Sequence, residues 1–184
     1  RLELDSQRVA PVPMEPRSCS VSYDAATASW DLYTPHQGPT MLKPGLCHIL
    51  GTTPDRIRLH AQDIGGGFGA RGAAYAEQVL LLWAAKKLGR PIKWVGTRSE
   101  NFTTESHGRA IIIVGELALD RDGTFRAIRM NWICDEGAYL TPAGAFTNTQ
   151  NGPLSVSGVY RIPLAYGRHR CVLTNTCPTA PYRG

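Results

Sequence analysis

Arg56-Ile57-Arg58-Leu59-His60-Ala61, then Gly65-Gly66-Gly67-Phe68-Gly69, then Ala73 through Leu88 is the stretch on which the fold turns. The first piece alternates Ile57 and Leu59 with charged residues and reads as a strand. The last is rich in Ala and Leu, with apolar positions 76, 79, 80, 83, 84 and 88 at helical spacing. Gly89 followed by Pro91 marks its end. Strand, glycine run and helix in that order suit an anionic ligand. Glycines let the backbone approach closely, and free N–H groups at the helix start favour negative charge.

Gly67-Phe68-Gly69-Ala70-Arg71-Gly72 also satisfies G-x-G-x-x-G, so a Rossmann-like dinucleotide-binding domain is one alternative. That fold needs a continuing strand–helix alternation and an acidic residue closing the second strand. Here Ile92–Val95 is a strand candidate, but it runs into Gly96-Thr97-Arg98 and no second βα unit follows. A tight turn in which glycines only permit close packing is the plainer reading.

Around this block, residues 1–17 carry Pro11, Pro13 and Pro16 and are expected to be mostly extended. Ser20–Tyr23 and Ser29–Tyr33 read as a hairpin. Met41–Leu50 reads as a short helix with Pro44 in or near its first turn and Gly51 as its stop. Asp120-Arg121-Asp122-Gly123 is a hairpin signal between Ile111–Leu119 and Phe125–Ile133, where Ile128, Met130 and Trp132 share a face. Residues 137–163 read as irregular with at most one helix, and Arg168–Thr174 as a final strand. The fold class is α+β: mixed sheets with hairpins and one or two packed helices. The 184 residues suit one domain, or two small ones sharing a core. Arg1 and the terminal Pro181-Tyr182-Arg183-Gly184 both read as cuts in a longer chain.

Composition narrows the function. The net charge is +5, but the basic residues are scattered and no stripe interleaves with aromatics, which argues against nucleic acid. No apolar run approaches the roughly 20 residues of a membrane span. The five cysteines form no C-x-x-C pair and read as free, mostly buried thiols in a reducing, cytoplasmic compartment. The five histidines show no metal-binding spacing, so no protein-ligated metal is expected. Glu100 and Glu105 read as solvated edge charges.

Five stretches, in order, resemble one family. Gly65-Gly66-Gly67-Phe68-Gly69-Ala70-Arg71 is similar to the GGGFGGK loop of the molybdenum hydroxylases: xanthine dehydrogenase, aldehyde oxidase and the aerobic carbon monoxide dehydrogenase large chain. Ala70 and Arg71 replace the last glycine and lysine. Val12 to Arg17 is similar to the PMEPR segment. Gln37, 31 residues before Phe68, stands where the family has a glutamine bonding the apical oxo ligand of molybdenum, although Pro35 and His36 replace the usual serine and threonine. Gly89 to Trp94 with Thr97 to Glu100 resembles GRPVKW…TRSE. Thr174-Asn175-Thr176 with Pro181 to Gly184 resembles TNT…AYRG, whose arginine loop lines the metal pocket.

The resemblance implies part of a molybdopterin-binding domain, spanning residues 1–184, from the large subunit of an oxidoreductase. Such an enzyme hydroxylates or oxidises an aldehyde, carbon monoxide or an N-heterocycle with oxygen from water. It implies cofactor contacts from Gln37, Gly66, Gly67, Phe68, Gly69 and Arg183. The implied cofactor is molybdenum–molybdopterin, the cytosine dinucleotide form included. The implied partners are [2Fe–2S] and FAD subunits or domains, the rest of the large subunit and a small-molecule substrate. The family's general-base glutamate lies outside this chain, so no catalytic residue is assigned. Purine-oxidising members carry a substrate-binding glutamate four residues after the loop phenylalanine; Gly72 stands there, which disfavours a purine. A non-catalytic assembly module is the remaining alternative.

Overall fold

The computed structural model describes residues 1–183; Gly184, the last residue of the TNT…AYRG resemblance, lies outside the described residues. In chain order the elements are β1 (Leu2–Ser6), β2 (Ser18–Asp24), β3 (Ser29–Tyr33), α1 (Pro39–Leu50), β4 (Ile57–His60), α2 (Ala76–Leu88), β5 (Ile92–Val95), α3 (Arg98–Thr104), β6 (Ile111–Leu119), β7 (Phe125–Gly137), α4 (Pro142–Phe146) and β8 (Leu164–Leu173). The class is α+β, as expected. The chain divides into two compact units: Val12–Thr104, and Arg1–Pro11 with Glu105–Gly184.

The Val12–Thr104 unit has a four-stranded sheet in the order β4-β3-β2-β5. β2 and β3 form the expected antiparallel hairpin, with Val21 opposite Leu32. β4 pairs parallel to β3, and β5 antiparallel to β2. The strand after α2 is therefore separated from β4 by β3 and β2, and its neighbour is antiparallel. A dinucleotide fold would place it in a parallel sheet with the first strand, so this topology removes the Rossmann alternative.

The core of this unit joins Cys19 and Val21 of β2, Trp30 and Leu32 of β3, Ile57 of β4, Leu42 and Leu46 of α1, and Leu81, Leu82 and Ala85 of α2. The buried Trp30 indole satisfies its N–H by donating to the Leu82 carbonyl at 2.9 Å. The helical stripe expected for α2 is corrected: Gln78, Leu81, Leu82 and Ala85 are buried, while Leu80, Trp83 and Leu88 are exposed. α2 is apolar on nearly all sides, so spacing alone fits two faces. α1 begins at Pro39, with Pro44 inside the helix, and ends on Gly51 in the left-handed region. The acceptor that Pro44 leaves without a helical donor belongs to the exposed Thr40, where water can serve it.

The other unit has a sheet in the order β1-β6-β7-β8. The β6–β7 hairpin closes at Asp120–Thr124, and Gly123 takes a φ of 89° there. β8 pairs parallel to β7 and starts four residues earlier than expected, at Leu164. The crossover between them holds α4, a wide π turn over Thr147–Asn151 and a last helical turn over Gly152–Leu154. The buried Glu136 at the end of β7 ties this crossover down. It accepts from Asn148 Nδ2 at 2.8 Å and from Thr179 Oγ1 at 3.3 Å. Trp132 and His169, paired across β7 and β8, stack with ring centroids 4.0 Å apart. Among the described residues no helix is long and apolar enough to cross a membrane.

Candidate functional site

The glycine run follows β4 and precedes a short 3-10 turn over Ala70–Gly72, which leads into α2. Three of its residues lie at positive φ. Gly66, Phe68 and Gly69 have φ of 108°, 56° and 103°. Phe68 is held in a region that costs a non-glycine residue of order 1–3 kcal/mol, so its surroundings must impose it.

Gln37 supplies part of that constraint. Its N–H donates to the Arg71 carbonyl at 2.9 Å, and its Oε1 accepts the Gly69 N–H at 2.8 Å. Gly67 is pressed against the same side chain: a Cβ there would sit 2.4 Å from Gln37 Cδ. Because Oε1 is taken by Gly69, the Gln37 amide presents its Nε2 donor, for which no acceptor exists among the described residues. The Gly66 and Gly67 N–H groups likewise donate to no carbonyl among the described residues. Three donors therefore gather around one short stretch of backbone, with Phe68 between them.

His36 supports the turn that carries Gln37. It is buried, and its Nδ1 accepts the Gly38 N–H at 3.0 Å, as a hydroxyl would in an ST-turn. Burial pushes its pKa below the ordinary histidine value, which keeps the ring neutral and able to accept.

The segment Pro13 to Arg17 forms the other wall. Glu15 N–H donates to Gly65 O at 3.1 Å, and Glu15 Oε2 accepts Gly65 N–H at 2.7 Å. Arg71 does not face solvent as a free charge. It is 2% exposed, and its Nη2 donates to the Glu15 carbonyl at 2.8 Å. Arg98 donates to the carbonyls of Pro13 at 2.8 Å and Met14 at 2.8 Å. Arg17 pairs with Glu77 at 3.1 Å and lies 4.1 Å from the Tyr75 ring centre. Tyr75 in turn donates to Ala70 O at 2.8 Å.

The structure thus gathers Gln37, Gly66, Gly67, Phe68 and Gly69 at one place. The structural parts played by Glu15, Arg71 and Arg98 were not assigned from the sequence, although each lies in a quoted motif. Arg183 belongs to the other unit, where it is exposed with a φ of 54°. Glu100 is exposed as expected, whereas the expectation for Glu105 is overturned. Glu100 sits in the first turn of α3 and accepts the Thr97 N–H at 2.6 Å, a capping role. Glu105 is 1% exposed rather than solvated.

A model of the molybdopterin cofactor-binding domain matches residues 1–184. The chain belongs to the molybdopterin cofactor-binding domain family. The domain is 32% identical over 179 residues to the nicotine 6-hydroxylase large subunit of Paenarthrobacter nicotinovorans, covering 96% of this chain and 22% of that one. It is 34% identical over 178 residues to the carbon monoxide dehydrogenase large chain of Hydrogenophaga pseudoflava, covering 93% and 21%. The crystal structure of quinoline 2-oxidoreductase from Pseudomonas putida 86 superposes with a TM-score of 0.95 at 31% identity, covering 100% of this chain and 24% of that one. The domain therefore spans about a fifth of the length of the curated relatives it matches. These relatives are a hydroxylase, a dehydrogenase and an oxidoreductase, which favours the enzyme reading over an assembly module.

Proposed function

We propose that residues 1–184 are part of the molybdopterin-binding domain of a larger molybdenum hydroxylase subunit. The enzyme oxidises an aldehyde, carbon monoxide or an N-heterocycle with oxygen from water. The observation that carries this reading is the strained glycine loop, on which Gln37 Oε1 accepts from Gly69 while the Gln37 Nε2 and the Gly66 and Gly67 N–H groups have no acceptor among the described residues. Such a set of fixed donors fits an anionic, oxygen-rich cofactor.

Gln37 would hold the cofactor by donating from Nε2. Gly66, Gly67 and Gly69 would bring backbone close to it, and Phe68 would present its ring. Arg183 would contribute from the arginine loop of the family. When bound, molybdenum–molybdopterin supplies Lewis acidity and a sink for two electrons, so the difficult chemistry belongs to the cofactor. This chain's residues orient it and keep donors in place without reorganisation. The cytosine dinucleotide form of the pterin, electron transfer to [2Fe–2S] and FAD partners, and a cytoplasmic location complete the proposal. With Gly72 open to solvent, nothing here supplies the carboxylate that would favour a purine.

The test is molybdenum content, with pterin fluorescence after oxidation, of the full-length subunit co-expressed with its neighbours. Near-stoichiometric metal that falls when Gln37 and Phe68 are replaced by alanine is expected. No metal under conditions that load a known family member would overturn the proposal.

A further inference from the structure

Five hydrogen bonds around the glycine loop close into a circuit. Gly65 N–H donates to Glu15 Oε2 at 2.7 Å, and Glu15 N–H donates back to Gly65 O at 3.1 Å. Arg71 Nη2 donates to Glu15 O at 2.8 Å. Gln37 N–H donates to Arg71 O at 2.9 Å, and Gly69 N–H donates to Gln37 Oε1 at 2.8 Å. Both ends of the loop, at Gly65 and Arg71, are thereby fastened to one residue, Glu15. Gln37 is fastened to the second end through its backbone and to the middle through its side chain. The fit at Glu15 is tight, since a Cβ on Gly65 would lie 2.5 Å from Glu15 Cβ. Gln37 is exposed and has no other side-chain bond among the described residues.

We infer that Glu15 and Arg71 are positioning residues that fix the orientation of the Gln37 amide through the glycine loop. Glu15 makes no hydrogen bond to Gln37 among the described residues. Its influence passes through the spacing it sets between Gly65 and Arg71. Loss of the Glu15 carboxylate releases the Gly65 N–H and leaves that end of the loop held only by the Glu15 N–H on Gly65 O, so the loop gains alternative backbone states and Gly69 no longer meets Gln37 Oε1 in register. The amide then rotates, and its donor points elsewhere. Arg71 stands where the family loop carries a lysine. A guanidinium, planar and able to donate from several N–H groups, reaches the Glu15 carbonyl from a buried position with fixed direction. The consequence for cofactor loading rests on the function proposed above; the consequence for the loop does not.

Hydrogen exchange followed by mass spectrometry on the full-length subunit, with and without cofactor, tests this. Gly69 N–H bonds Gln37 and not Glu15, so a local role for Glu15 would leave its exchange unchanged. In Glu15→Ala the Gly69 amide is expected to exchange about tenfold faster or more, the size of a lost charge-assisted bond. In Glu15→Gln, whose amide oxygen still accepts from Gly65, Gly69 exchange stays within about twofold of the parent. Molybdenum content should fall in Glu15→Ala and recover in Glu15→Gln. Unchanged Gly69 exchange in Glu15→Ala, or equal loss of protection in both variants, would overturn the inference. If Glu15→Ala does not fold, Glu15→Gln and Arg71→Met carry the test, with slow exchange expected in the first and fast in the second. A parent subunit that carries no molybdenum would refute the proposed function while leaving the Gly69 readout decisive for the circuit.

Discussion

Gln37 Oε1 accepts the Gly69 N–H at 2.8 Å, and that contact determines which end of the amide is presented. The oxygen is engaged within the protein, and the N–H₂ group is the end of the amide left without a partner among the described residues. Gly67 permits the arrangement by having no Cβ, which would lie 2.4 Å from Gln37 Cδ.

Gly67→Ala should therefore displace Gln37 more than it destabilises the fold, because Gln37 is exposed and flexible. We expect a stability loss below about 1 kcal/mol together with a clear fall in molybdenum content. Gly137→Ala is the contrasting case. Its φ is 77°, and an added Cβ would lie 2.2 Å from the Cys177 backbone oxygen, which cannot swing aside. It should cost about 3 kcal/mol or more. Thermal melts of both variants check the difference, and equal losses would contradict it.

Gly72→Glu should be tolerated. A Cβ there meets nothing within 4 Å, and the residue is exposed at the end of the 3-10 turn. Stability is expected to change by no more than about 0.5 kcal/mol. A larger loss in chemical denaturation would show that the position is packed.

Asp31 gives a pH signature. The Arg58 guanidinium, then the His60 ring, hold its pKa down to about 2, from an ordinary 3.8. A depressed carboxylate contributes stability above its unfolded pKa and loses it as pH falls through its folded value. Asp31→Asn should therefore be less stable than the parent at neutral pH, with the gap closing between pH 3.8 and about 2. Denaturation midpoints at several pH values check this, and a gap independent of pH would contradict it.

The loop strand, both hairpins and the ends of α1 and α2 were legible because their signals are local: Gly51, Gly89, the Asp120–Gly123 turn and alternating strands. β1 was not, since among the described residues it pairs only with β6, over a hundred residues later, from Leu2 opposite Gly115. α3 was missed although Thr97 and Glu100 form its cap, because Asn101 is its only buried residue and no apolar stripe announces it. Which face of α2 is buried was not legible, because both of its faces are apolar and packing against the sheet decides between them. In the site, the glycine run itself gave the loop, and the family resemblance gave Gln37. The clasp by Glu15 and Arg71 joins positions 56 residues apart, which no local pattern encodes.

The cysteines test the burial pattern. Burial pushes the Cys19 thiol up to about 12 and the Cys134 thiol up to about 11. The native thiolate fraction at pH 8 is then roughly 10⁻³ or less, against about a quarter for a free thiol. Both residues should resist alkylation at pH 8 until the protein is unfolded. Rapid native labelling of either, read by peptide mass spectrometry, would contradict the core described for its unit.

The most direct test of the central claim is anomalous diffraction at the molybdenum edge from crystals of the loaded full-length subunit. The account predicts one strong peak beside the glycine loop, with an oxygen ligand of the metal within hydrogen-bond reach, about 3 Å, of Gln37 Nε2. A molybdenum peak remote from Gln37 and Phe68 would contradict it.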